Sequence, residues 1–391
     1  MSSSRMTLRG PRVILALGFA SMAALASSAS PPASGGSSAA APPKTGEENP
    51  LGIPNKVRDK LMLFLERYSR VAPDRKLELE PEWRAAPPGF IVLRRRLTSS
   101  EEKFNENAPV LLTQDQTQVF FGQVMKLDDG AGGDFLGPEG PRLVSKLLTE
   151  KAGDPIDVTW GGKRGPAGTF PGKMLQGSEA GKIEVDSYLS ADGKWFMLGA
   201  FYQIGSDPRQ DRMKRLNLTG LPSTGPEKAS VVVVEFTDYQ CPSCRERQSD
   251  IEAAMQKYRG KVRLVHMDHP IWRMHDWAVT AAEGSRCVEK IAGVDAYWKY
   301  KKAVYERQKE IKADNFEELM KPVLEVLGVS FESWNECRKS GTTKPLIAKD
   351  LSQGFGLGVQ GTPTLLVNGK LIDYGVDKVL DRTIAETLAG K

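Results

Sequence analysis

Cys241-Pro242-Ser243-Cys244 stands between a nearly unbroken apolar run, Val231 to Val234 with Phe236, and a stretch that presents Ile251, Ala254, Met255 and Tyr258 on one side. The run suits a central strand buried on both faces, and the stretch suits an amphipathic helix. A thiol at a helix start meets the positive end of the helix dipole and free backbone N–H groups, which stabilise its thiolate. The second cysteine lies one turn along and is able to close onto the first. Three chemistries fit four such residues: a structural staple, half of a zinc site, or a redox pair. A two-residue spacing closes a strained, reducible ring, a poor staple but a good switch. Zinc is disfavoured because there is one CxxC motif rather than two, and His266, His269 and His275 crowd onto another segment. The redox reading needs no metal or organic cofactor.

The rest of the C-terminal half supplies an α/β frame for that pair. Val262 to Val265 reads as the next strand, and residues 276–353 as a long helical region. Thr364 to Val367, the Asn368-Gly369 turn and Leu371-Ile372 read as a hairpin, and Val379 to Leu388 as a closing helix. The expected class is therefore an α/β core with an inserted helical subdomain, spanning 230–391.

Two stretches carry a resemblance to a known family. They are Val234-Glu235-Phe236-Thr237-Asp238-Tyr239-Gln240-Cys241-Pro242-Ser243-Cys244 and Gly358-Val359-Gln360-Gly361-Thr362-Pro363-Thr364-Leu365-Leu366-Val367-Asn368-Gly369. In this order and at this distance they resemble the DsbA-like thiol oxidoreductases of the thioredoxin superfamily, over about residues 228–391. The resemblance implies a thioredoxin fold in which Cys241 is the exposed nucleophile and Cys244 the buried resolving thiol. It implies a cis peptide bond at Pro363, with Thr362 before it touching substrate, and it places Pro242 and Ser243 at the same substrate surface. Glu235 sits inside the apolar strand. A carboxylate there is expensive to bury, which raises its pKa and equips it to exchange a proton with Cys244; the alternative is a strand-edge glutamate reaching solvent. Cys287 and Cys337, by their flanks, are similar to cysteines that form a second, structural disulfide in some DsbA-like proteins; two buried free cysteines are the competing reading. The histidines are expected in packing or surface roles, with His269-Pro270-Ile271 at most lining the substrate groove.

The N-terminal half is less telling. Arg5, Arg9 and Arg12, the apolar stretch Val13 to Ala26 and the small residues Ala24-Leu25-Ala26 read as a secretory leader over 1–26, cleaved or retained as an anchor. Export would make the location periplasmic or otherwise extracytoplasmic. Residues 27–49, rich in Ser, Ala, Pro and Gly, read as a disordered tether. A separate α+β domain is expected over 50–218 and a Pro/Gly linker over 219–229. Within that domain Leu111-Leu112-Thr113-Gln114-Asp115-Gln116 through Gly122 to Leu127 aligns without gaps on Tyr188-Leu189-Ser190-Ala191-Asp192-Gly193 through Gly199 to Ile204. Two explanations stand: hairpins that merely look alike, or a duplicated unit whose copies pack as an internal pseudo-dimer.

The net charge of +5 falls to +2 once the leader's three arginines are removed, and no dense Lys/Arg run is interleaved with aromatics. Nucleic-acid binding is therefore disfavoured. Three functions remain. The first is an exported oxidase that forms disulfides in reduced, unfolded proteins and is reoxidised by a membrane redox partner. The second is an isomerase or reductase similar in layout to DsbC and DsbG, which dimerise through an N-terminal domain. The third is a chaperone for unfolded chains in which the thiols are incidental. A monomer is favoured, because a duplicated unit would satisfy its own interface; a homodimer through the N-terminal domain is the alternative.

Overall fold

The computed structural model describes residues 50–391, apart from 70–74, 83–84, 100–104, 128–132, 373–377 and 391. The expected leader and tether over 1–49 lie outside the described residues. No helix among the described residues is long and apolar enough to cross a membrane.

Among the described residues the N-terminal half is one eight-stranded sheet with three α-helices. Helix α1 (Asn55–Tyr68) precedes β1 (Arg75–Pro81), β2 (Phe90–Ser99), β3 (Asn105–Thr113) and β4 (Gln118–Lys126). Helix α2 (Gly140–Ala152) precedes β5 (Ile156–Trp160), β6 (Phe170–Ser178), β7 (Gly181–Leu189) and β8 (Trp195–Gln203), and α3 (Pro208–Arg215) follows. The strand order β1-β2-β3-β4-β8-β7-β6-β5 reads the same from both edges. In the antiparallel β4–β8 pair, Gln118 faces Gln203, Lys126 faces Trp195 and Gly122 faces Gly199. The two stretches that align in the sequence are thus related by a pseudo-two-fold axis through the glycine pair.

The glycines are required there by close approach. A Cβ on Gly122 would stand 1.9 Å from the Leu198 carbonyl oxygen, and one on Gly199 would stand 2.1 Å from that of Phe121. The turns match too. Thr113 Oγ1 donates to Asp115 Oδ1 at 2.5 Å and Ser190 Oγ to Asp192 Oδ1 at 2.5 Å. The same carboxylates accept from Thr117 N and Lys194 N, each at 3.1 Å. One hydrogen-bonded turn built twice, at equivalent positions across a dyad, is the arrangement a duplicated unit adopts.

Strands β1, β5 and β6 carry little sequence signal. In β1 (RKLELEP) charged residues occupy the alternate positions, β5 has five residues, and β6 contains one proline and two glycines. The charges of β1 and the proline and glycines of β6 depart from the apolar, β-branched composition that marks a strand, whereas β5 has that composition over too short a run to stand out.

The C-terminal half is built on a five-stranded sheet ordered β13-β12-β10-β11-β9. It comprises β9 (Ser223–Thr224), β10 (Val231–Thr237), α4 (Pro242–Lys257), β11 (Val262–Asp268), α5 (Ala278–Arg307), α6 (Phe316–Val326), α7 (Phe331–Lys339), α8 (Lys344–Gly356), β12 (Thr364–Val367), β13 (Lys370–Leu371) and α9 (Val379–Leu388). The segment expected as a linker therefore contributes β9, which pairs antiparallel with β11. Strand β10 lies between parallel β11 and antiparallel β12, covered on both faces, which is why it is apolar almost throughout.

The two halves share a core. Ala180, Ile183 and Val185 of the first sheet pack in one buried cluster with Ile347, Leu351 and Phe355 of α8. Buried Arg212 donates to Tyr68 O at 2.5 Å and to Gly369 O at 3.1 Å, tying α1, α3 and the β12–β13 turn together. Gly369 has φ +81°, and a Cβ there would stand 2.0 Å from Arg209 O, so only glycine admits this approach. Arg273 spans the halves at another point, pairing with Asp154 and donating to Ala152 O at 2.9 Å.

Candidate active site

Strand β10 delivers the chain to the base of α4, where Cys241 is the N-cap residue, with φ −68° and ψ 119°, and Pro242 opens the helix. Proline is suited to that first position because its missing N–H would have had no helical partner. Cys244 N and Arg245 N donate to Cys241 O at 3.1 and 3.3 Å, forming the first turn. The buried Gln308 amide, at the end of α5, donates to Tyr239 O at 2.7 Å and Cys241 O at 2.9 Å and so clamps the turn from below.

Both thiols are reduced in this structure. The resemblance implied an exposed Cys241, but it is only 7% exposed, and Cys244 is fully buried. Burial of Cys241 follows from the loop before β12, which folds over it: Thr362 O lies 3.5 Å from the Cys241 sulfur. The Thr362–Pro363 peptide bond is cis. Pro242 and Ser243 are exposed.

The two thiols differ sharply in acidity. Hydrogen bonding from the Cys244 thiol, opposed by burial and assisted by Thr362 and the Cys244 N–H, lowers Cys241 to about 6. Burial, reinforced by the neighbouring Cys241 sulfur, pushes Cys244 upward. At neutral pH the arrangement holds one thiolate at the helix N-terminus and one thiol beneath it.

Glu235 does not behave as expected. It is fully buried, so it is not a strand-edge group, but its pKa is lowered rather than raised. Burial alone would raise it. The opposing cause is Lys301 of α5, itself buried, whose ammonium lies 2.5 Å from Glu235 Oε2, with further support from His266 and Gln248. Gln248 Nε2 donates to both Glu235 Oε1 at 3.0 Å and Cys244 O at 3.1 Å, linking the ion pair to the helix that carries Cys244.

The histidines occupy three different environments. His266 is buried on β11, where Nε2 meets Asp268 Oδ1 at 3.0 Å, in a network that continues through Arg286 to Asp350. His269 packs between Phe236 and Phe355 and is 3% exposed, so it lines no groove. His275 was undervalued in the sequence: its Nδ1 lies 2.7 Å from Asp238 Oδ2, and Asp238 also accepts from Gln240 N and Ile271 N, each at 2.7 Å. Asp238 thereby fixes the segment leading into Cys241. Among the described residues no cluster of three or more His, Cys, Asp or Glu side chains is placed to hold a metal.

Lys301, Gln248 and Gln308 escaped sequence reasoning because each lies far along the chain or carries no motif. The apolar setting of Glu235 was a signal that some cation had to face it, but not which one. Cys287 of α5 and Cys337 of α7 form a disulfide with Cα atoms 5.9 Å apart, joining two helices of the inserted subdomain.

Residues 219–385 match the family model described as Thioredoxin. The probable disulfide bond formation protein D of Bacillus cereus is 28% identical over 193 residues, covering 47% of this chain and 88% of its own length. The disulfide bond formation protein D of Bacillus subtilis is 29% identical over 185 residues, covering 45% of this chain and 80% of its own. The crystal structure of oxidised BdbD from Bacillus subtilis aligns over 44% of this chain and 96% of that one, at 28% identity and a TM-score of 0.41. With a CPSC turn at the start of α4, a proline loop against its first sulfur and the two sequence relatives over the same span, the C-terminal part of the chain is similar to the DsbA-like thiol–disulfide oxidoreductases of the thioredoxin superfamily.

Proposed function

We propose that this protein is an exported oxidase that forms disulfides in reduced, unfolded proteins through Cys241 and Cys244. The observation that carries the reading is the split between the two thiols, one lowered to about 6 at a helix N-terminus and one raised by burial. In the oxidised enzyme a client thiolate attacks the Cys241 sulfur. The Cys241–Cys244 bond breaks, the electron pair leaves on Cys244, and Cys244 takes up a proton because its buried site disfavours the anion. A second client thiolate then attacks the client sulfur of the mixed disulfide. Cys241 departs as a stabilised thiolate, a good leaving group, and the client holds the new disulfide. Two electrons now reside on the enzyme, and a redox partner must remove them.

Stabilising the Cys241 thiolate favours the reduced enzyme and makes the disulfide more oxidising. Glu235, held ionised by Lys301 and joined to Cys244 through Gln248, is the charged group beneath the resolving thiol. Its assigned role is to assist proton transfer at Cys244. Thr362 and Pro363 form the wall against which the client chain lies, with Pro242 and Ser243 on the opposite rim. The leader-like N-terminus and the Cys287–Cys337 disulfide support an oxidising, extracytoplasmic location. The internal pairing of β4 with β8 supports a monomer, since the duplicated unit meets its own copy within one chain.

The test is the reduction potential of the Cys241–Cys244 pair, set against glutathione and paired with oxidation of a reduced multi-cysteine protein. The reading expects a potential well above the roughly −270 mV of a thioredoxin-type reductant, and client oxidation that disappears in Cys241→Ser. A potential as low as that value would remove the oxidase assignment.

A further inference from the structure

A fully buried carboxylate stands just before the CPSC turn. Asp238 O accepts from Cys241 N at 3.2 Å, so this residue opens the turn that ends on the reactive cysteine. Among the influences on the Cys241 thiol, led by the Cys244 hydrogen bond, the Asp238 charge works against ionisation, as an anion beside a thiolate must. A group that hinders the thiolate needs a reason to be there and something to offset it.

The reason is mechanical. Asp238 Oδ1 accepts from Gln240 N, and Oδ2 accepts from Ile271 N and His275 Nδ1, each at 2.7 Å. Gln240 adds two bonds to the same neighbouring segment, from its Nε2 to Asp276 Oδ1 at 3.0 Å and from Trp277 N to its Oε1 at 2.9 Å. The approach to Cys241 is thereby fastened to residues 271–277, which lead from β11 into α5.

The offset is His275. Its side chain is mostly buried and that of Asp238 wholly so, which leaves their charges little screened by water. The hydrogen bond to Asp238 raises the imidazole above its ordinary value against the effect of burial, and the charges of Asp238, Cys241 and Asp276 add to the rise. His269 also feels the Asp238 charge, but burial pushes it down to about 4, so it brings no cation at neutral pH.

We infer that His275 is a positioning residue for the redox pair: its imidazolium, held on Asp238, cancels the carboxylate that anchors the turn and so keeps the Cys241 thiolate stable. The inference rests on the thiolate chemistry proposed above and adds to it a charge supplied from outside the CPSC motif. Asp238 can then fix the turn without weakening the enzyme as an oxidant, because a stabilised thiolate favours the reduced form.

The experiment measures alkylation of Cys241 by iodoacetamide in the full, reduced chain at pH 5, with the label located by mass spectrometry. At that pH His275 of the wild type is protonated. Two variants separate charge from shape. In His275→Asn the amide can still donate to Asp238 but carries no charge, and in Asp238→Asn/His275→Asn neither position is charged. His275→Asn should react about tenfold more slowly than wild type, and the double variant should return to within about twofold of it. An unchanged rate in His275→Asn, or a loss that persists in the double variant, would overturn the inference while leaving the thiolate reading intact. Coupling between two groups is reciprocal, so the wild type gives a second reading that no folding defect can confuse. The His275 ring, followed by NMR, should titrate at higher pH in the reduced protein than in the oxidised one; equal midpoints would also overturn the inference. Wild-type Cys241 that reacts at pH 5 no faster than an ordinary thiol would remove both readings.

Discussion

Replacing Lys301 by Met removes the cation that faces Glu235 across 2.5 Å in a fully buried setting. Gln248 remains, but a neutral amide cannot compensate a buried carboxylate charge. Breaking a buried pair by deleting one partner costs about 3–5 kcal/mol, because the surviving charge is left unpaired. The pH dependence should change sign. In the wild type Glu235 is lowered, so its contribution is complete above the unfolded carboxylate value of roughly 4.3 and is lost as pH falls through the folded value. In Lys301→Met burial acts alone and the carboxyl rises above its unfolded value. The folded state then holds a proton that the unfolded state releases, and stability falls as pH increases above roughly 4.3. Urea unfolding followed by tryptophan fluorescence at pH 5 and pH 8 reads both effects. The loss should be about 3–5 kcal/mol at pH 8 and clearly smaller at pH 5. The double variant Glu235→Leu/Lys301→Met should recover most of it, since an apolar pair of similar volume carries no desolvation cost. A loss below about 1 kcal/mol at pH 8, or an equal loss at both pH values, would refute the argument.

Two further outcomes follow from the same structure. Alkylation of reduced protein by iodoacetamide should rise with pH around a midpoint near 6, reporting Cys241, and a midpoint at the ordinary thiol value of roughly 8.5 would contradict the geometry. The Cys287–Cys337 bridge spans a sequence separation of 50, so Cys287→Ser/Cys337→Ser should lose about 4 kcal/mol of stability by chain-entropy reckoning, which calorimetry reads.

Legibility in the sequence tracked how local each feature is. The CPSC turn, its strand and its helix are contiguous, and their residue types report their surroundings directly: β10 is apolar because it is covered on both faces. The repeated turn was visible because its Thr/Ser and Asp positions recur with the glycines. Edge strand β1 and the proline- and glycine-containing β6 were not, since their pairing partners, rather than their composition, hold them in place, and β5 was too short to register. The pKa of Glu235 was misjudged for a related reason. Burial could be read from its neighbours in the strand, but the Lys301 ammonium arrives from a helix 66 residues away.

The sequence by itself determined the local frame: two thiols, two residues apart, at a helix start after a central strand. Those are short-range matters, governed by backbone geometry and hydrophobic period. Tertiary structure decided the rest. It set the ionisation of Glu235, covered Cys241 with the proline loop, and turned two similar hairpins into halves of one sheet about Gly122 and Gly199. Charge pairing and burial depend on which distant segments meet in space, and that information exists only once the chain has folded.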